Sequence, residues 1–316
     1  IFFNIHKTFM IQQILTISLC FVFILSSLSD VLSQPLHRTD LSNLRVNAFA
    51  QDSLGYIWIA TANGLCKSFG ESYDVFFYDE ADEHSIPSNL ITGLYVDDAS
   101  KLWISTGKGI CSMARGKYEF HRYSQSTSTG MESFFLGFVQ YAGRIYTYGY
   151  NGLYEIDEKN KTLIPRIEVD RQVIYGAVTD SHGNLWLTNG AELIKLDRSL
   201  SLISKIVVGR DDVVNCMVSD REKILLGTEN GIKLLDLHSL EISDGDFPHA
   251  LDDLRINQML PVDGGRKLLI STRNKGALVY DMETRDVISR YNNDEFADIP
   301  SVDINTAFVD KEKNGW

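Results

Sequence analysis

From residue 41 onward the chain alternates clusters of β-branched and aromatic residues, each about five long, with short polar turns rich in Asp, Asn and Gly. Runs of that length and composition, bounded by turn formers, predict strands rather than helices. The first set is the clearest. Val46-Asn-Ala-Phe-Ala50 clusters its apolar residues on one face, Asp52 to Gly55 reads as a turn, and Tyr56-Ile-Trp-Ile-Ala60 is a second strand. Asp initiates such a turn through its side-chain acceptor, and Gly supplies the positive φ that closes it. A second turn, Thr61 to Gly64, leads into a third strand, and Val75-Phe-Phe-Tyr78 gives a fourth.

The whole set recurs. The bulky residue six places after the first-turn residue is Trp58, Trp103, Tyr146, Trp186, Leu225 and Leu269, at spacings of 45, 43, 40, 39 and 44. The second turn returns as Thr106 to Gly109, Gly149 to Gly152, Thr228 to Gly231 and Thr272 to Gly276. A period near 42 with four strands per unit is that of a propeller blade. A lone blade leaves two edges and an aromatic face exposed, so blades must stack and bury Trp58, Trp103, Tyr146 and Trp186 between neighbours. Units begin near residues 41, 86, 131, 173, 212, 255 and 301. The expected fold is all-β: a seven-bladed-type β-propeller of four-stranded antiparallel blades, six complete and the seventh truncated. Ile304 to Asp310 matches Val46 to Asp52, and Asn314-Gly315-Trp316 begins the next aromatic strand. The sequence therefore reads as a fragment whose ring stays open.

Residues 1–33 differ from the rest. Lys7 precedes a mostly apolar stretch from Ile11 to Leu28, and Val31-Leu-Ser33 ends it on a small residue, the pattern of a secretory signal peptide. Residues 34–316 then form one exported propeller domain. Export places Cys66, Cys111 and Cys216 in an oxidising compartment, but Cys66 and Cys111 hold equivalent positions in adjacent units, too far apart to bridge. Buried free thiols are expected. The formal charge of −12 disfavours a phosphate backbone, so no nucleic acid is expected as a partner of this segment.

Catalytic patterns are missing from the sequence. The His residues are scattered without a His-Glu-x-x-His, and Gly107-Lys-Gly109 lies between strands and lacks the third Gly of a dinucleotide loop. Asp97-Asp98 and Asp244-Gly-Asp246 lack the ligand spacing of a calcium loop and read as solvated turns. No cofactor or metal is expected. A polar residue does recur at the start of each innermost strand, as Asn47, Thr92, Asn215, Asn257 and Asn305. Such side chains would ring one mouth of the central channel, or would satisfy backbone groups between blades. Around the same mouth fall Arg45, Lys108, Tyr150, Arg255 and Arg273. Aromatic faces with forked donors suit sugar rings and carboxylates, making Arg45, Asn47, Lys108, Tyr150, Asn215, Arg255, Asn257 and Arg273 the candidate ligand residues.

The stretches Asp52 to Leu65, Asp97 to Ile110, Asp180 to Trp186, Gly227 to Ile232 and Ser271 to Gly276 resemble the periplasmic two-component-regulator propeller repeats of bacterial, Bacteroides-like hybrid sensor histidine kinases. Ile59, Ile104 and Leu187 follow the aromatic where a WD repeat needs Asp. The resemblance implies a non-catalytic periplasmic sensor arm that detects an oligosaccharide or other small ligand, in a protein anchored in the inner membrane. It also implies further parts: a second propeller, an immunoglobulin-like domain and a kinase, with homodimerisation of the whole. Two other readings stand beside it. One is a secreted propeller lyase resembling the streptogramin-inactivating enzymes, although His182 and His249 fall in different repeat positions. The other is a protein-binding propeller scaffold.

Overall fold

The computed structural model describes residues 41–69, 72–116, 118–125, 134–209, 212–292 and 302–316. The expected signal peptide lies outside them. The described chain is all-β apart from two short 3₁₀ turns, at His249–Leu251 and Asp263–Gly265. It divides into two compact units, one running to Phe308 and the other including Val309–Trp316.

In the larger unit the sheets follow the repeat. The first blade is β1 (Val46–Gln51), β2 (Ile57–Thr61), β3 (Gly64–Phe69) and β4 (Ser72–Phe76), hydrogen-bonded in that order. The second is β5 (Ile91–Val96), β6 (Leu102–Thr106), β7 (Gly109–Met113) and β8 (Phe120–Gln125). The third consists of β9 (Phe135–Tyr141), β10 (Arg144–Asp157) and β11 (Thr162–Val173). The fourth is β12 (Gly176–Thr179), β13 (Leu185–Thr188), β14 (Glu192–Leu196) and β15 (Leu202–Val207). The fifth is β16 (Val214–Asp220), β17 (Lys223–Thr228), β18 (Gly231–Asp236) and β19 (Ile242–Ser243). The sixth is β20 (Ile256–Val262), β21 (Lys267–Thr272), β22 (Ala277–Asp281) and β23 (Asp286–Tyr291). The first strands β1, β5, β9, β12, β16 and β20 lie beside one another in sequence order, the arrangement of a propeller.

The third blade departs from four separate strands. β10 pairs with β9 over Arg144–Gly149 and with β11 over Tyr150–Asp157, so one continuous strand does the work of two. Asn151 (φ 68°) and Gly152 (φ 136°) mark the junction. The outer strand β11 also pairs in parallel with β8, joining the second and third blades into one seven-stranded sheet. That contact covers two strand edges that would otherwise present unpaired backbone groups.

Every residue of β2, β6 and β13 is buried, because each of these strands has a blade on both faces. This explains why Tyr-Ile-Trp-Ile-Ala does not alternate with polar residues. The core is a series of inter-blade layers. Trp58 sits between the first and second blades, Trp103 between the second and third, and Trp186 between the fourth and fifth. Tyr146 and Leu225 occupy the same place in the two remaining layers. Burying an indole contributes roughly 3 kcal/mol by area.

Each of these tryptophans is also tied to its turn. The indole Nε1 donates to Asp52 Oδ2 from Trp58 (3.0 Å), to Asp97 Oδ2 from Trp103 (2.8 Å) and to Asp180 Oδ2 from Trp186 (2.8 Å). In the smaller unit, Trp316 donates to Asp310 Oδ2 in the same way (2.9 Å), with Val309 bridged to Gly315. The Thr of the second turn has its own fixed role. Its Oγ1 donates to the carbonyl across the turn, from Thr61 to Gly64, Thr106 to Gly109, Thr188 to Glu192, Thr228 to Gly231 and Thr272 to Gly276, at 2.7–3.1 Å.

Residues 304–308 continue the series of innermost segments. Asn257 Nδ2 donates to the Ile304 carbonyl (2.9 Å), and Asn305 Nδ2 to that of Val46 (3.3 Å). The Phe308 and Phe49 rings stack at 6.2 Å. The open ring expected from sequence is thus bridged from β20 to β1, since one innermost segment is enough to give both neighbours a partner.

Candidate functional site: one rim of the blades

Two positions of each blade meet at one end. The first is the residue immediately before the innermost strand: Arg45, Leu90, Phe134, Tyr175, Val213, Arg255 and Asp303. The second is the opening residue of the second turn: Ala62, Gly107, Tyr150, Asn189, Glu229 and Arg273. Backbone bonds hold them together, with Ala62 N donating to Arg45 O, Gly107 N to Leu90 O, Tyr150 N to Phe134 O, Glu229 N to Val213 O and Arg273 N to Arg255 O, at 2.8–3.3 Å. The side chains of the two positions therefore share a rim.

The asparagines do something else. Pairing shifts between Val46 and Ala48, Ile91 and Gly93, Val214 and Cys216, and Ile256 and Gln258 put Asn47, Thr92, Asn215 and Asn257 each in a β-bulge. From there the side chain hooks the first carbonyl of the next blade: Asn47 to Ile91 (2.7 Å), Thr92 to Phe135 (2.6 Å), Asn215 to Ile256 (2.9 Å) and Asn257 to Ile304 (2.9 Å). Asn47, Asn215 and Asn257 thus each give one amide N–H to the neighbouring backbone. A bulge leaves one residue unpaired, and re-aiming its side chain is a common use of the irregularity.

Arg45, Lys108, Arg255 and Arg273 are exposed, and Tyr150 is half-buried. Arg273 is held by Asn257 Oδ1 (3.1 Å) and by Glu229 Oε1 (3.3 Å), and Asn215 Nδ2 donates to the same Glu229 oxygen (3.0 Å). No side-chain hydrogen bond or ion pair engages Arg45 or Arg255 among the described residues. The sequence reading missed Leu90, Phe134, Tyr175 and Val213, although alignment of the repeats places them with Arg45. Tyr175 and Val213 are 45% and 44% exposed.

Other features serve stability. A cleft of about 530 Å³ opens at the opposite end between the second and third blades. Its polar groups engage one another: Arg144 and Arg166 clasp Glu155 (2.5 and 2.7 Å), and Gln140 bridges Tyr95 and Asp98. Asp244 and Asp246 pair with Lys233 and Arg285 rather than converging on a cation. Among the described residues no group of three His, Cys, Asp or Glu could hold a metal ion. His249 pairs with Asp252 (2.9 Å), while His182 faces Glu222 (3.1 Å) from a first turn at the other end. Cys66, Cys111 and Cys216 are free. Burial raises the thiol pKa of Cys111 far above its ordinary value and that of Cys216 to about 12. No helix among the described residues is long and apolar enough to cross a membrane.

Residues 40–63 match the family described as Two component regulator propeller. The extracellular domain of a putative hybrid two component system from B. thetaiotaomicron is similar in structure, with a TM-score of 0.74 at 19% identity over 89% of this chain and 40% of that one. A second such domain from that organism gives 0.67 at 19% identity, over 84% and 38%. Virginiamycin B lyase from Staphylococcus aureus gives 0.61 at 14% identity, over 82% of this chain and 87% of the enzyme. Among curated proteins no sequence matches. The chain spans about 40% of the length of the first of these domains. Its opening repeat matches the two-component-regulator propeller family, and its fold is a β-propeller similar to the extracellular domains of hybrid two-component systems.

Proposed function

We propose that this propeller is the extracytoplasmic ligand-sensing part of a hybrid two-component system, that it performs no catalysis itself, and that it recognises an oligosaccharide at the rim. The carrying observation is the pairing there of exposed aromatic and aliphatic side chains (Leu90, Tyr175, Val213) with two unengaged guanidinium groups, Arg45 and Arg255. Apolar and aromatic surfaces cover sugar rings, and forked donors fix hydroxyls and carboxylates. In this reading residues 1–33 direct export to the periplasm. Signalling passes to a second propeller, an immunoglobulin-like domain and a membrane-anchored kinase, with the whole protein a homodimer. A lyase reading finds less support, because His182, facing Glu222, and His249, paired with Asp252, lie at opposite ends of the blades and do not share one site.

The test is calorimetric titration of the purified protein against a panel of neutral and acidic oligosaccharides. Saturable binding of one class, weakened when Arg45 and Arg255 are both changed to Gln with unchanged melting, is the expected result. Absence of binding across the panel would refute it.

A further inference from the structure

Two of the exposed apolar side chains at the rim form one surface. Tyr175 precedes β12 and Val213 precedes β16, so they come from neighbouring blades, the fourth and the fifth. Gly190, in the second turn of the fourth blade, lies between them. It is held at φ 92°, with its N–H on Thr188 Oγ1 (3.0 Å) and its carbonyl accepting from Val214 N (2.9 Å). A Cβ on Gly190 would stand 3.2 Å from Val213 Cγ1 and 3.5 Å from both Cδ2 and Cε2 of Tyr175. A larger residue would wedge the two apart, whereas glycine lets the phenol ring edge and the isopropyl group meet over the turn as a single exposed apolar platform.

Polar groups are fixed around this platform. The Asn189 amide is fully committed: Nδ2 donates to Gln172 Oε1 (2.8 Å) and Glu192 Oε2 (3.2 Å), while Oδ1 accepts from Ala191 N (3.2 Å) and Glu192 N (2.8 Å). Asn189 thereby sets Gln172 and Glu192 on the fourth-blade side. On the fifth-blade side Asp212 adjoins Val213 in sequence, and Glu229 N donates to the Val213 carbonyl (3.3 Å). The charge here is one-sided. Lys233 is shared between Asp212 and Asp244, and Arg273 faces Glu229, so Glu192, Asp212, Glu229 and Asp244 outnumber the two cations. Farther round the rim the loop before β5 adds Asp79, Glu80, Asp82 and Glu83 and contains no Lys or Arg. A carboxylate or sulfate on a ligand meets like charge at this place, losing roughly fivefold in affinity for each pair left about 4 Å apart in water. A hydroxyl instead donates to a carboxylate in a charge-assisted bond.

Resting on the sensing role proposed above, we propose that the ligand is an uncharged oligosaccharide, one ring of which lies on Tyr175 and Val213. The C–H face of the sugar covers the platform, and its hydroxyls donate to Glu192 and Glu229 and pair with the Gln172 amide. The same carboxylates are the specificity residues: they accept from hydroxyls and turn away oligomers that carry uronate or sulfate groups. Asn189 is a positioning residue, because its own amide is taken up in holding Gln172 and Glu192.

The experiment is calorimetry of the purified protein with neutral gluco-, manno-, galacto-, xylo- and arabino-oligomers, beside galacturonate and mannuronate-guluronate oligomers of equal length. One neutral class should bind, at least about tenfold more tightly than any uronate, with less than about a twofold change as NaCl rises from about 0.05 to 0.5 M. Tyr175→Ala should weaken that binding roughly tenfold and Tyr175→Phe leave it within about twofold, since the ring and not the hydroxyl covers the sugar. Glu192→Gln/Glu229→Gln should weaken it about threefold and narrow the gap to the uronates. Equal or tighter binding of a uronate overturns the proposal while leaving the sensing role intact, and so does undiminished neutral binding by Tyr175→Ala or by the double variant at unchanged melting temperature. Failure of every oligomer to bind overturns both.

Discussion

The bond between Asp180 and Trp186 allows a direct measurement of what the recurrent first turn contributes. Asp180 is 5% exposed, and its two oxygens accept from His182 N (3.0 Å), Asn184 N (2.8 Å), Asn184 Nδ2 (3.0 Å) and Trp186 Nε1 (2.8 Å). Asp180→Ala removes all of these. The buried indole N–H is left without an acceptor at a cost of about 1–3 kcal/mol, and loss of the charge-assisted backbone bonds adds about 1.5–3 kcal/mol. The net expectation is a loss of about 3–5 kcal/mol, a large part of the roughly 5–15 kcal/mol that stabilises a typical domain. Trp186→Phe deletes the donor instead, so in that background Asp180→Ala should cost about 1–2 kcal/mol less. Urea denaturation followed by far-ultraviolet circular dichroism on the four members of the cycle gives the coupling. Additivity within about 0.5 kcal/mol would show that the indole bond contributes nothing, and would refute the reasoning.

Burial alone would raise the pKa of Asp180, but hydrogen bonds from Trp186, Asn184 and His182 outweigh it and leave the carboxyl below its ordinary value. Its stabilisation is therefore present above the ordinary carboxylate pKa and fades as pH drops through the lowered one, so the urea midpoint should fall below about pH 4, less steeply in Asp180→Asn; parallel curves would count against it. Gly152→Ala should abolish folding, because a Cβ there would stand 1.8 Å from the Ile167 carbonyl at φ 136°, whereas Gly55→Ala, with open space at φ 90°, should cost about 1–2 kcal/mol; soluble expression and melting separate them. Cys111 should stay unmodified by iodoacetamide at pH 8 in the native protein and react in urea, as read by peptide mass mapping; rapid native labelling would contradict its burial.

The blades were legible in the sequence because Trp58, Trp103 and Trp186 lie on strands covered on both faces, where apolar residues run without alternation and the turn formers stand out. The Asp to indole bond was also there to be read, since Asp precedes each of Trp58, Trp103, Trp186 and Trp316 by six. Where the tryptophan is lost the partnership lapses: Gln140 precedes Tyr146, and Asp263 precedes Leu269 but turns to Arg266. The site was harder to see. An Asn at a strand start looks alike whether it faces a channel or a neighbouring carbonyl, and only the bulge decides. Leu90, Tyr175 and Val213 escaped notice because a single apolar residue before a strand carries no periodic signal. The continuous β10 was hidden for a similar reason, as Tyr150-Asn151 has the composition of any other second turn.

The bulge hooks point one way round the propeller. Asn47, Thr92, Asn215, Asn257 and Asn305 each donate a hydrogen bond to the segment that comes next, and the last donates to Val46 in the first. Donor and acceptor sit at neighbouring places on one strand, so any such blade fits behind any other. Blades of this kind can be copied, lost or cyclically reordered by recombination without redesign of a junction, which gives a lineage freedom to vary the outward loops while the hub stays the same.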